Sequence, residues 1–397
     1  MTLRRALVLG LARSGRAAKA ALEARGVEVV PADRALGNDE DVDLLARVDV
    51  LVKSPGVPGA APLVVAARER GIQVWSEIEL ASRLLENPIV GITGTNGKTT
   101  TTELLGAMLS APTAGNVGTA LSELVGAVDP DLPVICELSS FQLEDVDTFR
   151  PWIAVLLNLE PDHLDRHGSF EAYRAAKLRI FENQTTDDVA IVPRGFGAIP
   201  GQGRRVEFSV EDDLPAEPLI PGAHNRENAA AATVAARAAG VDHEKIAQSL
   251  RTFPGVPHRL ELVAERRGVR YVNDSKATNT AAARRALSAY DAPLHLILGG
   301  SLKGESFDAF ARDVAQADVV TAYLIGEAAE PLAGALGQAG VSYRIATTLG
   351  RAVAEAAAAA QPSEIVLLSP ACASYDQFTD FEHRGEDFRR LVQNLSQ

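Results

Sequence analysis

IVGITGTNGKTTTTELLGAML, residues 89–109, decides the architecture. Ile89–Ile92 is an apolar run of strand length, Thr93–Gly97 is a glycine-rich turn, and Thr99–Leu109 reads as a helix. A turn of this kind between strand and helix aims backbone N–H groups and the positive end of a helix dipole at one point, which suits a phosphate. Lys98 is placed to reach β- and γ-phosphates, and the Thr99 hydroxyl to hold Mg²⁺. Gly94, Thr95, Asn96, Gly97, Lys98, Thr99 and Thr100 are therefore candidate nucleotide-binding residues. Ile92 stands where the usual G-x-x-x-x-G-K-[ST] pattern has its first glycine.

Upstream, Ala6–Leu9 is a buried-strand pattern, followed by the turn Gly10–Gly15, an alanine-rich helix to Arg25, a short strand Glu28–Val30 and an apolar strand Val48–Val52. This βαβ alternation implies a parallel sheet. Beyond the loop, Val134–Leu138 and Ile153–Leu157 are strands and Asn225–Ala239 is a helix. Gly195–Leu219, rich in Gly, Pro and charge, is expected as loop and irregular strand. After Phe253-Pro254-Gly255-Val256-Pro257, strand candidates Val269–Val272, Leu294–Leu298, Val319–Ile325, Tyr343–Ile345 and Ile365–Leu368 alternate with helices. The expected fold is α/β in three domains: a Rossmann-like N-terminal domain (1–82), a central P-loop ATPase-type domain (83–256) and a C-terminal Rossmann-like domain (257–397).

A length of 397 residues suits two or three domains, and 46% apolar with 23% charged residues suits a soluble globular protein. The net charge of −13 argues against a nucleic-acid partner, because phosphate backbones require basic faces. No run approaches the ~18 apolar residues of a membrane span, so no membrane partner is expected. The opening MTLRRALVLGLARSG imitates a signal peptide only briefly, its apolar stretch Ala6–Ala12 ending at Arg13. Cys136 and Cys372 both lie in apolar runs, as reduced core cysteines of a cytoplasmic protein do.

Three further patterns carry chemistry. Glu137 ends the apolar strand that starts near Pro133, where phosphate-loop enzymes place an acid on the nucleotide's Mg²⁺. Asn158–His167 carries Glu160, Asp162, His163, Asp165 and His167, a set competent for a second cation; a solvated acidic loop is the alternative. Lys177 shares a face of the expected helix Ser169–Asn183 with Phe170, Tyr173, Ile180 and Phe181. A lysine there either snorkels or is buried, and burial lowers its pKa and frees the amine to react. Gly10–Gly15 with Asp33 some twenty residues on imitates a dinucleotide fingerprint, but Ala12 replaces its middle glycine. Another nucleotide at this switch point is favoured over a nicotinamide cofactor.

In this order the segments GTNGKTT (94–100), ELSSFQLE (137–144), LEPDHLDRHG (159–168), AAKLRIFEN (175–183), HNRENAAAA (224–232), FPGVPHRLE (253–261), NDSKATN (273–279), LGGSLKG (298–304) and SPACASYDQF (369–378) resemble the Mur ligases over nearly the whole chain. ELSSFQLE, NDSKATN and SPACAS resemble the members that add D-glutamate to UDP-N-acetylmuramoyl-L-alanine. The resemblance implies an ATP-dependent amide ligase using two Mg²⁺ sites and working on small molecules; a monomer is expected. It implies that Lys98 binds phosphates, Thr99 and Glu137 the first Mg²⁺, and His163 and Lys177 the second, with Lys177 carbamylated by CO₂. Asn228, Arg259 and Asp274 match positions around ATP. Asn116 matches a contact to the muramoyl substrate. Arg13, Ser14, Asp33 and Arg34 match the UDP end, and Lys276, Thr278, Lys303, Ser374 and Phe381 match the D-glutamate pocket. Tyr375 stands beside that pocket where a smaller aliphatic residue is usual. Arg13 stands in a turn that also takes uncharged residues, and 201–219 is short for the family. Phe253–Pro257 is a candidate hinge, since Lys98 and Lys303 lie in separate βαβ units and the implied reaction needs both. A folylpolyglutamate-type ligase is disfavoured by the N-terminal domain, and a catalytically dead nucleotide-binding module by the filled polar positions.

Overall fold

The computed structural model describes residues 3–302, 304 and 306–395, and of Asp165 the backbone alone. Its strands form three sheets. The first joins β1 (Arg5–Leu9), β2 (Glu28–Ala32), β3 (Val50–Lys53) and β4 (Gln73–Ser76) in the order β2-β1-β3-β4, all parallel. The second joins β5 (Ile89–Thr93), β6 (Thr113–Gly115), β7 (Val134–Glu137), β8 (Ile153–Leu156), β9 (Val189–Pro193) and β10 (Arg204–Phe208) in the order β10-β9-β8-β5-β7-β6, again all parallel. The third joins β11 (Glu261–Arg266), β12 (Val269–Asn273), β13 (Leu294–Gly299), β14 (Val319–Ile325), β15 (Tyr343–Thr347) and β16 (Ile365–Leu368) in the order β11-β12-β16-β13-β14-β15, where only β11 runs antiparallel.

Parallel strands need helices on both faces, so their residues are apolar throughout. β3 and β5 are buried at every position, and each sheet separates two apolar clusters. The helix Ala223–Ala238 presents Ala229–Ala232, all without exposed surface, to the second sheet. Residues this small let the helix approach the strands closely. The described chain divides into two compact units: 1–218 with 224–253, and 219–223 with 254–397.

The apolar runs are strands as expected, within a residue or two. β4, β6, β9 and β11 were not foreseen: β6 has three residues, and β11, an edge strand, has charged residues at both ends. β10 gives regular structure to part of the segment expected as irregular, also at a sheet edge. The helix expected over 169–183 covers Phe170–Leu178 and tightens into a 3₁₀ turn at Arg179–Phe181. Both cysteines are buried and form no disulfide among the described residues, and burial pushes the Cys136 thiol well up. Among the described residues no helix is long and apolar enough to cross a membrane.

The helix Glu77–Leu84, capped by Ser76, joins the first two sheets. Glu77 is fully buried and accepts the Ser122 backbone N–H at 2.6 Å. Burial pushes its carboxyl up to about 7, with the Ser122 hydrogen bonds opposing. Its folded pKa thus stands above its unfolded value, so its contribution to stability is complete below about 4.5 and is lost as pH rises through about 7. Glu77→Gln, which keeps the acceptor, is expected to be more stable than the parent at pH 8 by roughly 1–3 kcal/mol, with the gap closing towards pH 5. Urea unfolding at both pH values checks this; a gap that stays constant would show that the carboxyl's ionisation is not its cause.

Candidate active site

The loop Gly94–Gly97 follows β5 and opens the helix Lys98–Leu109. Gly97 caps that helix with φ +83°, a left-handed conformation that favours glycine. A Cβ there would lie 2.1 Å from Oδ1 of the buried Asn228, so this glycine also lets Asn228 pack under the loop. The first helical turn holds no acidic residue, which leaves its positive end uncancelled. The segment 158–160 braces the loop. Asn158 Oδ1 accepts the Asn96 N–H at 2.8 Å, Asn96 Nδ2 donates to Glu160 Oε2 at 3.0 Å, and Thr95 Oγ1 lies 2.9 Å from the Tyr173 hydroxyl. Thr99 and Thr100 are buried at the helix start.

Two lysines converge on this loop. Lys98 Nζ donates to the Gly94 and Thr95 carbonyls at 3.0 and 2.9 Å. Lys177, only 2% exposed, donates to the same Gly94 carbonyl at 2.7 Å and lies over the Tyr173 ring. Burial, helped by the charge of Lys98, brings the Lys177 ammonium down to about 7, with Asp162 and Glu137 opposing. Glu137, at the end of β7 beside Ile92 of β5, is 2% exposed. Its Oε1 accepts from Asn116 Nδ2 at 3.0 Å, while its Oε2 is buried with no hydrogen-bond partner among the described residues. A carboxylate oxygen left so beside a phosphate-type loop fits a cation.

The acidic loop is differently organised from a ready-made metal centre. Among the described residues no three His, Cys, Asp or Glu side chains group as metal ligands. His163 has φ +52°, heads the short helix Leu164–His167, and packs its half-exposed ring against Phe141 and near Asp162. His167 is turned away, between the Ser140 hydroxyl and Glu144 at 3.0 and 3.2 Å.

At the first sheet, Asp33 is already engaged: its carboxylate accepts the Leu11 and Ala35 N–H groups, which hold it below the usual range. Arg34 and Arg13 are exposed and Ser14 half-buried. Arg13 Nη1 donates to the Gly118 carbonyl at 2.7 Å, joining this turn to the loop that carries Asn116. Three residues that sequence reasoning passed over bind the first sheet to the second. Lys53, without exposed surface, pairs with Asp145 at 2.8 Å, as does Arg68. Arg166, three residues after His163, donates to the Pro55 and Val57 carbonyls at 2.8 and 3.0 Å.

In the second unit the candidates gather at the C-terminal ends of β12 and β16. Asp274 is buried, accepts from Ser369 Oγ at 2.8 Å, and has its carboxyl pushed up to about 7 by burial, with Ser369, Leu260 and Arg259 opposing. Lys276 lies over the Phe381 ring at 4.4 Å. Ser374 is buried and Thr278 half-buried. Tyr375 is 75% exposed, pointing its bulk at solvent. Lys303 lies outside the described residues.

A glycine-rich turn at a helix N-terminus, with two lysines and a buried carboxylate beside it, suits chemistry on a phosphate. The Mur ligase middle domain matches residues 92–196, and the Mur ligase, glutamate ligase domain matches residues 258–372; the chain belongs to the Mur ligase family. Its relatives include the UDP-N-acetylmuramoylalanine--D-glutamate ligase of Acidobacterium capsulatum, 42% identical over 98% of this chain and 96% of that protein. That of Sphingopyxis alaskensis is 43% identical over 99% and 98%. Among solved structures, UDP-N-acetylmuramate-alanine ligase MurC from Thermotoga maritima shares the fold across all of both chains (TM-score 0.59, 19% identity). MurF from Acinetobacter baumannii shares it over 89% of this chain and 87% of that one (TM-score 0.60, 18% identity).

Proposed function

We propose that the chain joins D-glutamate to UDP-N-acetylmuramoyl-L-alanine with ATP, in peptidoglycan synthesis, as a cytoplasmic monomer of three domains bounded near residues 82 and 256. The observation that carries this reading is the convergence of Lys98 and Lys177 on Gly94 beside Glu137, in a chain some 40% identical to D-glutamate ligases over nearly its whole length.

The substrate's terminal alanine carboxylate takes the γ-phosphoryl group of ATP, giving an acyl phosphate and ADP. The amine of D-glutamate then attacks the carbonyl, loses a proton, and phosphate leaves. Phosphoryl transfer asks the protein mainly for positioning and charge neutralisation. The N–H groups of 95–99 and the Lys98 ammonium supply these, and Asn228 packs under the turn that holds them. Thr99 and Glu137 would hold one Mg²⁺, and His163 with a carbamylated Lys177 a second; bound there, the ions would neutralise phosphate charge. Asn116 orients the muramoyl end, and Arg13, Ser14, Asp33 and Arg34 the UDP end. Arg259 and Asp274 keep the nucleotide role that the resemblance gives them. Lys276, Thr278, Lys303, Ser374 and Phe381, with Tyr375 at the rim, serve the amino acid.

Phosphate release should be followed with UDP-N-acetylmuramoyl-L-alanine and ATP, offering D-glutamate, L-glutamate, L-lysine or meso-diaminopimelate in turn. Release only with D-glutamate is expected. Turnover with another of these and none with D-glutamate would overturn the reading.

A further inference from the structure

Arg384 lies in the first turn of the helix Phe381–Gln393 and has no exposed surface. Among the described residues its hydrogen-bond partners are one hydroxyl and four carbonyls, none of them a carboxylate. Nε donates to Ser275 Oγ at 2.9 Å and Nη2 to the Ser275 carbonyl at 2.8 Å; Nη1 reaches the carbonyls of Cys372, Ala373 and Gly299 at 3.1, 3.3 and 3.5 Å. A buried guanidinium whose hydrogen bonds go only to dipoles has no carboxylate bonded to it to neutralise its charge, which is costly unless the site uses it. Burial brings this one down to about 10, with Cys372, Asp376 and Asp274 opposing from further away.

The three loops it holds leave the C-terminal ends of β12, β16 and β13, which are neighbours in the sheet. From β13 the chain runs outward to β14 and β15, then returns to lay β16 between β12 and β13. Such a reversal opens the crevice in which doubly wound sheets bind ligands. The crossing is tightly packed: a Cβ on Gly300 would lie 2.0 Å from the Ala373 carbonyl and 3.1 Å from Arg384 Nη1. Lys276 and Ser374, each next in sequence to a residue that Arg384 holds, sit on these loops.

We propose that Arg384 is a positioning residue for the acidic amino acid: it fixes the loops after β12, β13 and β16 as one recess, and its unneutralised charge favours a dicarboxylate there. This rests on the reading that the chain takes D-glutamate. An acidic amino acid carries a second carboxylate into the recess, so the cost of burying the cation is recovered on binding.

The test is steady-state kinetics of the full chain with Arg384→Lys and Arg384→Met, varying each of the three substrates, alongside thermal unfolding. Arg384→Lys keeps the charge but cannot reproduce the planar fork. We expect KM for D-glutamate to rise about 10-fold in Arg384→Lys and about 100-fold in Arg384→Met, with KM for ATP and for the muramoyl substrate within about 2-fold of wild type. Should Arg384→Met fail to fold, the same split in Arg384→Lys decides. Parallel rises in all three KM values, or a loss confined to kcat and melting temperature, would make Arg384 a structural tie and overturn the proposal. Wild-type protein without D-glutamate-dependent turnover would instead sink the reading beneath it.

Discussion

Replacing Lys98 with alanine is expected to abolish nearly all turnover, leaving less than about a tenth of kcat, a loss above ~1.4 kcal/mol of transition-state stabilisation, while the protein melts at its wild-type temperature. Lys98 Nζ donates to the carbonyls of Gly94 and Thr95, on a loop that the 158–160 segment braces independently. The fold therefore has little to lose with the side chain. The transferring phosphoryl group has much to lose, because charge stabilisation from a fixed cation is a large part of what a phosphate-binding loop contributes. Phosphate release and calorimetry on the same preparation check both halves. A variant that keeps more than about a tenth of kcat would remove Lys98 from the transition state.

Lys177→Ala is expected to be almost inactive, and a short carboxylic acid in the buffer should raise the variant's rate at least about tenfold. The ammonium of Lys177 is disfavoured by burial and by Lys98, so near pH 7 much of the side chain is the neutral amine. A neutral amine can attack the carbon of CO₂ and release one proton, giving an anionic carbamate that would suit the second Mg²⁺ proposed beside His163. A plain ammonium would repel that cation. Formate or acetate reaching the vacated space would stand in for the carbamate's carboxylate end; methylamine would not. Rescue by the amine and not the acid would make Lys177 a cation in function, and full activity of Lys177→Ala would make it a packed side chain with no part in the reaction.

The three sheets were legible because parallel strands are apolar on both faces and announce themselves as short runs, β1, β3, β5 and β16 among them. Edge strands such as β10 and β11 were not, since one side of each faces solvent and charge interrupts the pattern. Lys177 was legible from its place on an apolar helix face, and it is buried. The same reasoning reaches Arg384, four residues before the buried Phe388 and eight before Val392, yet it was applied only to the lysine. The engagement of Asp33 with Leu11, the turning away of His167 and the orphaned oxygen of Glu137 depend on which backbone groups the fold brings near. No spacing in the sequence encodes them.

The Lys53–Asp145 pair has a consequence for exchanging parts between relatives. Asn87-Pro88 looks like a natural seam, a short polar stretch between two sheets. A chimaera grafted there from a donor lacking a cation at position 53 would leave Asp145, 4% exposed at its side chain, facing only Arg68 across the join. Losing one of its two cations would cost part of the roughly 3–5 kcal/mol that stranding a buried charge outright costs. Arg166 would also inherit foreign carbonyls in place of those of Pro55 and Val57. The first two sheets are thus better transplanted together than split at the seam the sequence advertises.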